Sequence, residues 1–436
     1  MSTAASNEAL TSANAVPGDP GTSGAPGVSE SPRTPGTPAA GLPHVARIRN
    51  GSVFVDGERF VDADVAVEGK TFSEVLPRGE AGPSSSPSPS PVDADFDLDA
   101  SGCYVIPGLI DVHTHGCMGC ACTDGDPAAL RRIAAYEASR GVTALCPTSL
   151  TLPREQLAES FAQIASFVPG DGEAAFAGVN MEGPYISPDK LGAQNPVYVR
   201  PADIDEFAQL MEAAQGRIRL VDVAPETPGC LEFIARVRRE FPQARVSVAH
   251  TCADYDCARE AFEAGASHVT HLFNAMPSLH HRSPGPIAAA AECEGVFAEL
   301  IADGVHVHPA MVRLAFELFG RDRIVLISDS IRACGLADGT SELGGLAVTI
   351  RGPRATLADG TLAGSVTDLM GCLRTVVTTM GVPLETAVRA ATANPARAIG
   401  VEGERGSIAR GKVADAVVLD RDLRPVHVVM RGRLLY

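Results

Sequence analysis

Between residues 104 and 330, short apolar runs alternate with stretches whose apolar residues recur every three or four positions. Eight runs stand out: YVIPGLIDVHTH, GVTALCPTS, AFAGVNMEGPY, RIRLVDVAPE, ARVSVAHT, SHVTHLFN, VFAELIADGVHV and RIVLISDS. Runs of this length, rich in Val, Ile and Leu, predict strands buried on both faces. The intervening AALRRIAAYEASR, EQLAESFAQIASF, DIDEFAQLMEAA, LEFIARVRREF and AMVRLAFELFG carry helical periodicity. Eight alternations predict an α/β fold, a (β/α)8 TIM-like barrel. An open parallel sheet has the same local pattern, but the polar residues separate the two. His113 and His115, Thr148, Glu182, Glu226, His250, His271, His306 and Asp329 stand at the C-terminal ends of the runs. A barrel gathers those ends around one mouth, whereas an open sheet scatters several of them.

The two ends of the chain have another texture. Residues 46–72, ARIRNGSVFVDGERFVDADVAVEGKTF, alternate β-branched and polar residues between Asn-Gly, Asp-Gly and Glu-Gly pairs that predict turns. The last stretch, GSIARGKVADAVVLDRDLRPVHVVMRGRLLY, alternates in the same way. Strands so far apart in sequence pair only if the middle folds back, which predicts a small β-sandwich domain built from both ends. The expected boundaries are residues 44–103 and 403–436 for that domain and 104–402 for the barrel. Residues 1–43 are rich in Ser, Pro, Gly, Ala and Thr and cannot bury enough apolar surface to offset their ordering, so a disordered tail is expected there. The Ser/Pro tract at 77–97 is expected to be a surface insertion.

Composition narrows the function. A net charge of −17 argues against a general nucleic-acid binder, which needs a basic face, but leaves room for a phosphorylated small molecule held by one or two local cations. No run of eighteen apolar residues occurs, so no membrane span is expected. The N-terminus lacks the basic start and apolar stretch of a secretory signal. Eleven cysteines, an odd number, fit reduced thiols and a cytoplasmic location. CMGCAC has no second ligand pair at zinc-knuckle spacing, so Cys117, Cys120 and Cys122 are read as loop packing.

The strand-end residues carry the chemistry. His113 and His115 are two apart, so an extended strand points both to one side, where they either share a metal or simply close the strand. Glu182, before Gly-Pro, is a metal ligand or a cap on the following turn. His250 and His271, each ending a run, complete a His2Glu set with Glu182 that leaves a coordination position open. His268 falls on the other side of its strand and is expected to be structural. Asp329 is either an N-cap, a part Ser330 could take, or a general base beside a metal.

In order and spacing, PGLIDVHTHG, MEGPY, HTCADY, THLFNAM, ADGVHV, ISDS and TLAGS resemble the N-acetylglucosamine-6-phosphate deacetylase family of the amidohydrolase superfamily, over residues 46–436 without the Ser/Pro insertion. The resemblance implies that Glu182, His250 and His271 hold a principal divalent metal, with zinc first and iron, manganese or cobalt as alternatives. It also implies that Asp329 is the catalytic acid–base. Substrate contacts would come from Ala193, Gln194, Asn274, Ala275 and Arg282, from Asp303, Gly304, Val305 and His306, and from Leu362, Ala363, Gly364 and Ser365. Arg282 and His306 would neutralise the phosphate, with Arg282 reaching across the interface of a homodimer or homotetramer. Many members have Gly-Ala-His where this chain has Gly192-Ala193-Gln194, and some lack the HxH pair, which is present here and permits one or two metals per subunit. N-acetylgalactosamine 6-phosphate is an alternative substrate. Cyclic-amide hydrolases, which bridge two metals with a carboxylated Lys on the fourth strand, are disfavoured because RIRLVDVAPE has no Lys. A scaffold without activity is disfavoured because all the expected ligands are present.

Overall fold

The computed structural model describes residues 41–78 and 96–436. The tail expected over 1–43 and the insertion expected over 77–97 fall almost wholly outside the described residues, except that Phe96–Asp99 forms a strand.

The middle of the chain folds as alternating parallel strands and helices. Its strands are β1 (Leu109–Thr114), β2 (Val142–Pro147), β3 (Val179–Met181), β4 (Ile218–Val223), β5 (Arg245–Val248), β6 (His268–Val269), β7 (Phe297–Ile301) and β8 (Ile324–Ile327). β1 pairs with β2, and β3 to β8 pair in sequence order, all parallel. A short segment, Ala175–Phe176, pairs with β2 just before the chain enters β3. The two sheets meet at parallel bridges, Thr148 with Asn180 and Thr114 with Ser330. The second is reinforced by the Thr114 and Ser330 hydroxyls, 2.8 Å apart. β1, β2 and β8 are buried along their whole length, so their apolar residues do not alternate with exposed polar ones, and the polar Asp111, His113, Thr114 and Thr143 are buried with them.

The five helices expected from periodicity are Pro127–Ser139, Arg154–Ser166, Ile204–Ala213, Cys230–Glu240 and Pro309–Phe319. Their starts follow local chemistry. Asp126 accepts from the N–H of Ala128 ahead of Pro127, and Asp203 accepts from Asp205 and Glu206. In the helix Ile204–Ala213, Phe207, Leu210 and Met211 form the buried stripe.

Both chain ends build one eight-stranded sheet. Its path runs Arg433–Leu434, Pro425–Met430, Ala416–Leu419, Tyr104–Pro107, Val45–Val55, Arg59–Glu68 and Thr71–Pro77, with Phe96–Asp99 beside Val45–Val55. Its buried face is lined by Val45, Ile48, Val53, Val65, Val105 and Val418, among others. Two expectations change here. The run 104–115 was assigned whole to the barrel, but Tyr104–Pro107 pairs with Val45–Val55 and Ala416–Leu419, and only Leu109–Thr114 enters the parallel array. Asn50-Gly51, expected as a turn, lies inside a continuous strand as a bulge, because Asp64 and Asp99 satisfy the Asn50 N–H and side-chain amide. A further antiparallel sheet, Gly339–Leu343, Leu346–Arg351 and Arg354–Thr356, follows β8 and was not anticipated from the pattern.

Gly108 is the joint between the terminal sheet and β1. A Cβ there would stand 2.1 Å from the Thr143 hydroxyl oxygen and 2.8 Å from its Cβ, in the buried wall of β2. Gly108→Ala is therefore expected to destabilise the protein by about 1–3 kcal/mol as overpacking does. Thermal unfolding should show a lowered Tm, and Thr143→Ala in the same protein should recover part of it.

Candidate metal centre

The strand ends bring six ligand-type side chains into one buried space. Glu182, just after β3, is their centre. Its Oε1 lies 3.1 Å from His250 Nε2 and 3.1 Å from His271 Nε2, and those two nitrogens are 3.1 Å apart. Oε1 is also 3.6 Å from His113 Nε2, and Oε2 is 3.3 Å from His115 Nε2. Asp329 Oδ1 faces His113 Nε2 at 3.5 Å and His115 Nε2 at 3.3 Å. His113, His115 and Glu182 thus form one triad and Glu182, His250 and His271 another, with one carboxylate common to both.

Backbone conformation aims these groups. His250, His271 and Asp329, after β5, β6 and β8, adopt left-handed backbone with φ of 42°, 30° and 49°. Each such residue costs of order 1–3 kcal/mol and persists only where the surroundings hold it. The chain turns sharply at each strand end, and the side chain is thrown back over the mouth.

Ring tautomers are set from outside the cluster. His250 Nδ1 donates to the Lys190 carbonyl at 2.8 Å, and His113 Nδ1 donates to Glu299 Oε2 at 2.9 Å. Each contact turns the ring so that Nε2 faces Glu182. Glu299, on β7, also receives His268 Nε2 at 3.1 Å and the His271 N–H at 3.3 Å, so His268 serves the support layer. Glu299 is the residue that sequence reasoning missed. Its signal was a lone carboxylate in the middle of the apolar run VFAELI.

The electrostatics match a cation site. Burial raises the Glu182 carboxyl, but the His113 charge and hydrogen bonds from His115, His250 and His271 outweigh it and hold it well below the ordinary range. Burial lowers the His115 imidazole, but Asp329 and Glu182 push it up to about 9. Asp329 itself, raised by burial, is brought down by His115 and His113 and is a carboxylate at neutral pH. Without a metal, protons on the imidazoles must balance the carboxylates, a task a divalent ion performs better. The donor set fits one. Three atoms mutually 3.1 Å apart leave a point about 2 Å from all of them, a metal–imidazole bond length. His113 Nε2 is buried without a hydrogen-bond partner.

A cavity of about 340 Å³ opens over the cluster, lined by His115, Glu182, His250, His271 and Asp329 together with Ala193, Gln194, Asn274, Ala275, His306, Leu362 and Gly364. Leu150, Gly192, Leu343 and Thr361 also line it, and sequence reasoning had not placed them in the binding set. Leu343 comes from the unanticipated antiparallel sheet. Of the remaining expected contacts, Asp303 accepts from the N–H groups of Val305 and His306 and from His306 Nδ1, holding the ring over the cavity beside Gly304. Ala363 and Ser365 are buried, and the Ser365 N–H donates to the Asp329 carbonyl, so LAGS braces Asp329 as much as it lines the cavity. Arg282 does not line this chain's cavity. It is exposed and bonded to His281. Glu226 and Thr148 hold loops instead of facing the cluster, Glu226 by accepting from Thr251 and the Cys252 N–H. Cys117, Cys120 and Cys122 are buried around a two-strand turn, and no cysteine belongs to a ligand cluster among the described residues. A second cavity, of about 420 Å³, lies at the N-terminal ends of β5 to β7 beside Arg238, Arg245 and Glu294, and contains none of these ligand atoms.

The family described as "Amidohydrolase family" matches residues 104–435. N-acetylglucosamine-6-phosphate deacetylase of Bacillus subtilis (strain 168) is 35% identical over 336 residues, 76% of this chain and 84% of that protein. N-acetylgalactosamine-6-phosphate deacetylase of Escherichia coli O157:H7 is 36% identical over 329 residues, 75% of this chain and 86% of that protein. The solved structure of a variant N-acetyl-D-glucosamine-6-phosphate deacetylase from Mycobacterium smegmatis, in complex with N-acetyl-D-glucosamine-6-phosphate, has a TM-score of 0.80 at 32% identity and covers 90% of this chain and 99% of that one.

Glu299→Gln replaces two acceptor oxygens by one and leaves either His113 Nδ1 or His268 Nε2 facing an amide N–H. Loss of such an outer partner typically costs 10–100-fold in metal affinity. Zinc titration of the variant is expected to show that loss in the half of the centre that contains His113.

Proposed function

The chain belongs to the amidohydrolase family, and on that premise we propose that it hydrolyses the acetamide of N-acetylglucosamine 6-phosphate, releasing acetate and glucosamine 6-phosphate. One observation carries this reading: two ligand triads share Glu182 beside Asp329, directly beneath the cavity. We read the fold as a (β/α)8 barrel carrying a small β-sandwich domain. The bridges Thr148–Asn180 and Thr114–Ser330, and the gathering of strand ends around one mouth, support that reading.

Glu182, His250 and His271 would hold the principal divalent ion, with His113 and His115 available to a second, and zinc suits this imidazole–carboxylate set. When bound, the ion supplies Lewis-acid polarisation of the amide carbonyl and acidification of water. Asp329 acts as the general base. Its carboxylate is held ionised at the mouth, so it can take a proton from the attacking water as a C–O bond forms at the carbonyl carbon. As the C–N bond breaks, Asp329 returns that proton to the leaving amine nitrogen. His306 orients the phosphate. Burial lowers its imidazole, but the Asp303 carboxylate outweighs this and keeps it raised, which favours the cationic form toward an anion. Arg282, exposed and away from its own cavity, is read as reaching the cavity of a second copy in a homodimer or homotetramer. The eleven cysteines, none in a disulfide, support a cytoplasmic location.

The galacto epimer is a second reading, because the relative named for it is as similar to this chain as the one named for the gluco sugar. An amine-release assay with both epimers and with unphosphorylated N-acetylglucosamine distinguishes the cases. The gluco phosphate is expected to turn over best, chelation to abolish activity, and added divalent ion to restore it. Equal rates on the unphosphorylated sugar would refute the phosphate pocket. Asp329→Asn is expected to lower kcat by at least about 10²–10⁴, the range for a lost acid–base group, with metal content unchanged. Near-normal turnover in that variant would remove Asp329 from the mechanism.

A further inference from the structure

The five residues 190–194 contact the ligand triangle three times, each through a different group. The Lys190 carbonyl accepts from His250 Nδ1 at 2.8 Å. At Gly192, with φ of 55°, a Cβ would lie 3.2 Å from His250 Cε1, so only glycine leaves the ring room there. Gln194 donates from Nε2 to Glu182 Oε2 at 2.6 Å and accepts from the Thr151 N–H at 2.8 Å. The Gln194 N–H in turn donates to the Leu191 carbonyl, which closes the loop into a turn.

A carboxylate has a soft terminal torsion, and rotation would exchange or misdirect its two oxygens. Here Oε2 is pinned by an amide whose own oxygen is anchored to backbone, and Oε1 is thereby aimed at His250 and His271. The donor is neutral, so Glu182 keeps its full charge. Gln194 is only 5% exposed and both ends of its amide are engaged within the protein, although the resemblance would make it a contact for the sugar.

We propose that Gln194 is a positioning residue for Glu182, and that the loop 190–194 presets Glu182 and His250 for the principal metal ion. The proposal rests on the metal-centre reading above.

The test is zinc affinity, measured by competition with a chromophoric chelator. A His113→Ala/His115→Ala background leaves only the triangle, so one affinity is read. Adding Gln194→Met, which keeps length and removes both hydrogen bonds, is expected to weaken zinc binding about 10–100-fold. Gly192→Ala, which crowds His250 by an independent route, is expected to weaken the same affinity. With His113 and His115 intact, Gln194→Met is expected to need about 10–100-fold more zinc for half-maximal activity. Unchanged zinc affinity in both variants overturns the proposal while leaving the metal centre standing. A raised KM that persists at saturating zinc also overturns it, because that marks a sugar contact. No zinc binding even in the parent chain overturns the metal centre itself and the proposal with it.

Discussion

A carboxylate shut away from water and ringed by imidazoles must find positive charge. The Glu182 oxygens stand within 3.6 Å of four imidazole nitrogens in a space where no ligand side chain is more than one-tenth exposed. Leaving such a charge unbalanced in the interior costs several kcal/mol. Protons on the rings can balance it, but then the Nε2 lone pairs are lost. A cation balances it and uses those lone pairs. The outer acceptors orient the rings for it: the Lys190 carbonyl and Glu299 each accept from an Nδ1, which turns Nε2 of His250 and of His113 toward Glu182.

That demand propagates outward. Glu299 is itself buried, and it persists as an anion because His113 and His268 both donate to it and the His271 N–H adds a third contact. Burial raises its carboxyl, yet the His113 charge and those bonds pull it down to about 2. Asp222, on β4 and also fully buried, goes the opposite way. Burial and the nearby Glu299 and Glu182 charges raise it well above the ordinary range, which favours its protonated form. Burial thus raises the carboxyl that accepts from no imidazole, while direct hydrogen bonds from His113 and His268 bring Glu299 down. At the rim, the LAGS segment is drawn in as a bridge, Ser330 to Ser365, that steadies Asp329 from behind.

The mouth above this centre suits a small polar ligand with one anionic end. Apolar wall comes from Leu150, Leu343 and Leu362, and polar contact from Asn274 and His306. The net charge of −17 does not by itself oppose an anion here, because charges elsewhere on the surface are screened within about 10 Å.

Much of this was legible in the chain alone. Apolar runs buried on both faces have no alternation to confuse, so all eight parallel strands and five helices were placed within a few residues. The i, i+2 spacing of His113 and His115 needs only an extended backbone to bring both rings to one side. Where the forces were nonlocal, the pattern failed. Tyr104–Pro107 is as apolar as β1 and was separated from it only by pairing with Val45–Val55 and Ala416–Leu419, strands from the two ends of the described chain. Asn50-Gly51 has turn chemistry, but Asp64 and Asp99 supply partners that make a bulge of it. Glu299 was hidden because its role depends on rings from β1 and β6. The amide of Gln194, which the resemblance implies faces the sugar, is instead folded against Thr151 and Glu182. By itself, then, the sequence determined the kinds of ligand present and the strand ends that carry them, because strand periodicity is local. Only the tertiary structure decided which carboxylate is shared, which is raised by burial and which imidazole nitrogens face it, because those follow from partners distant in the chain.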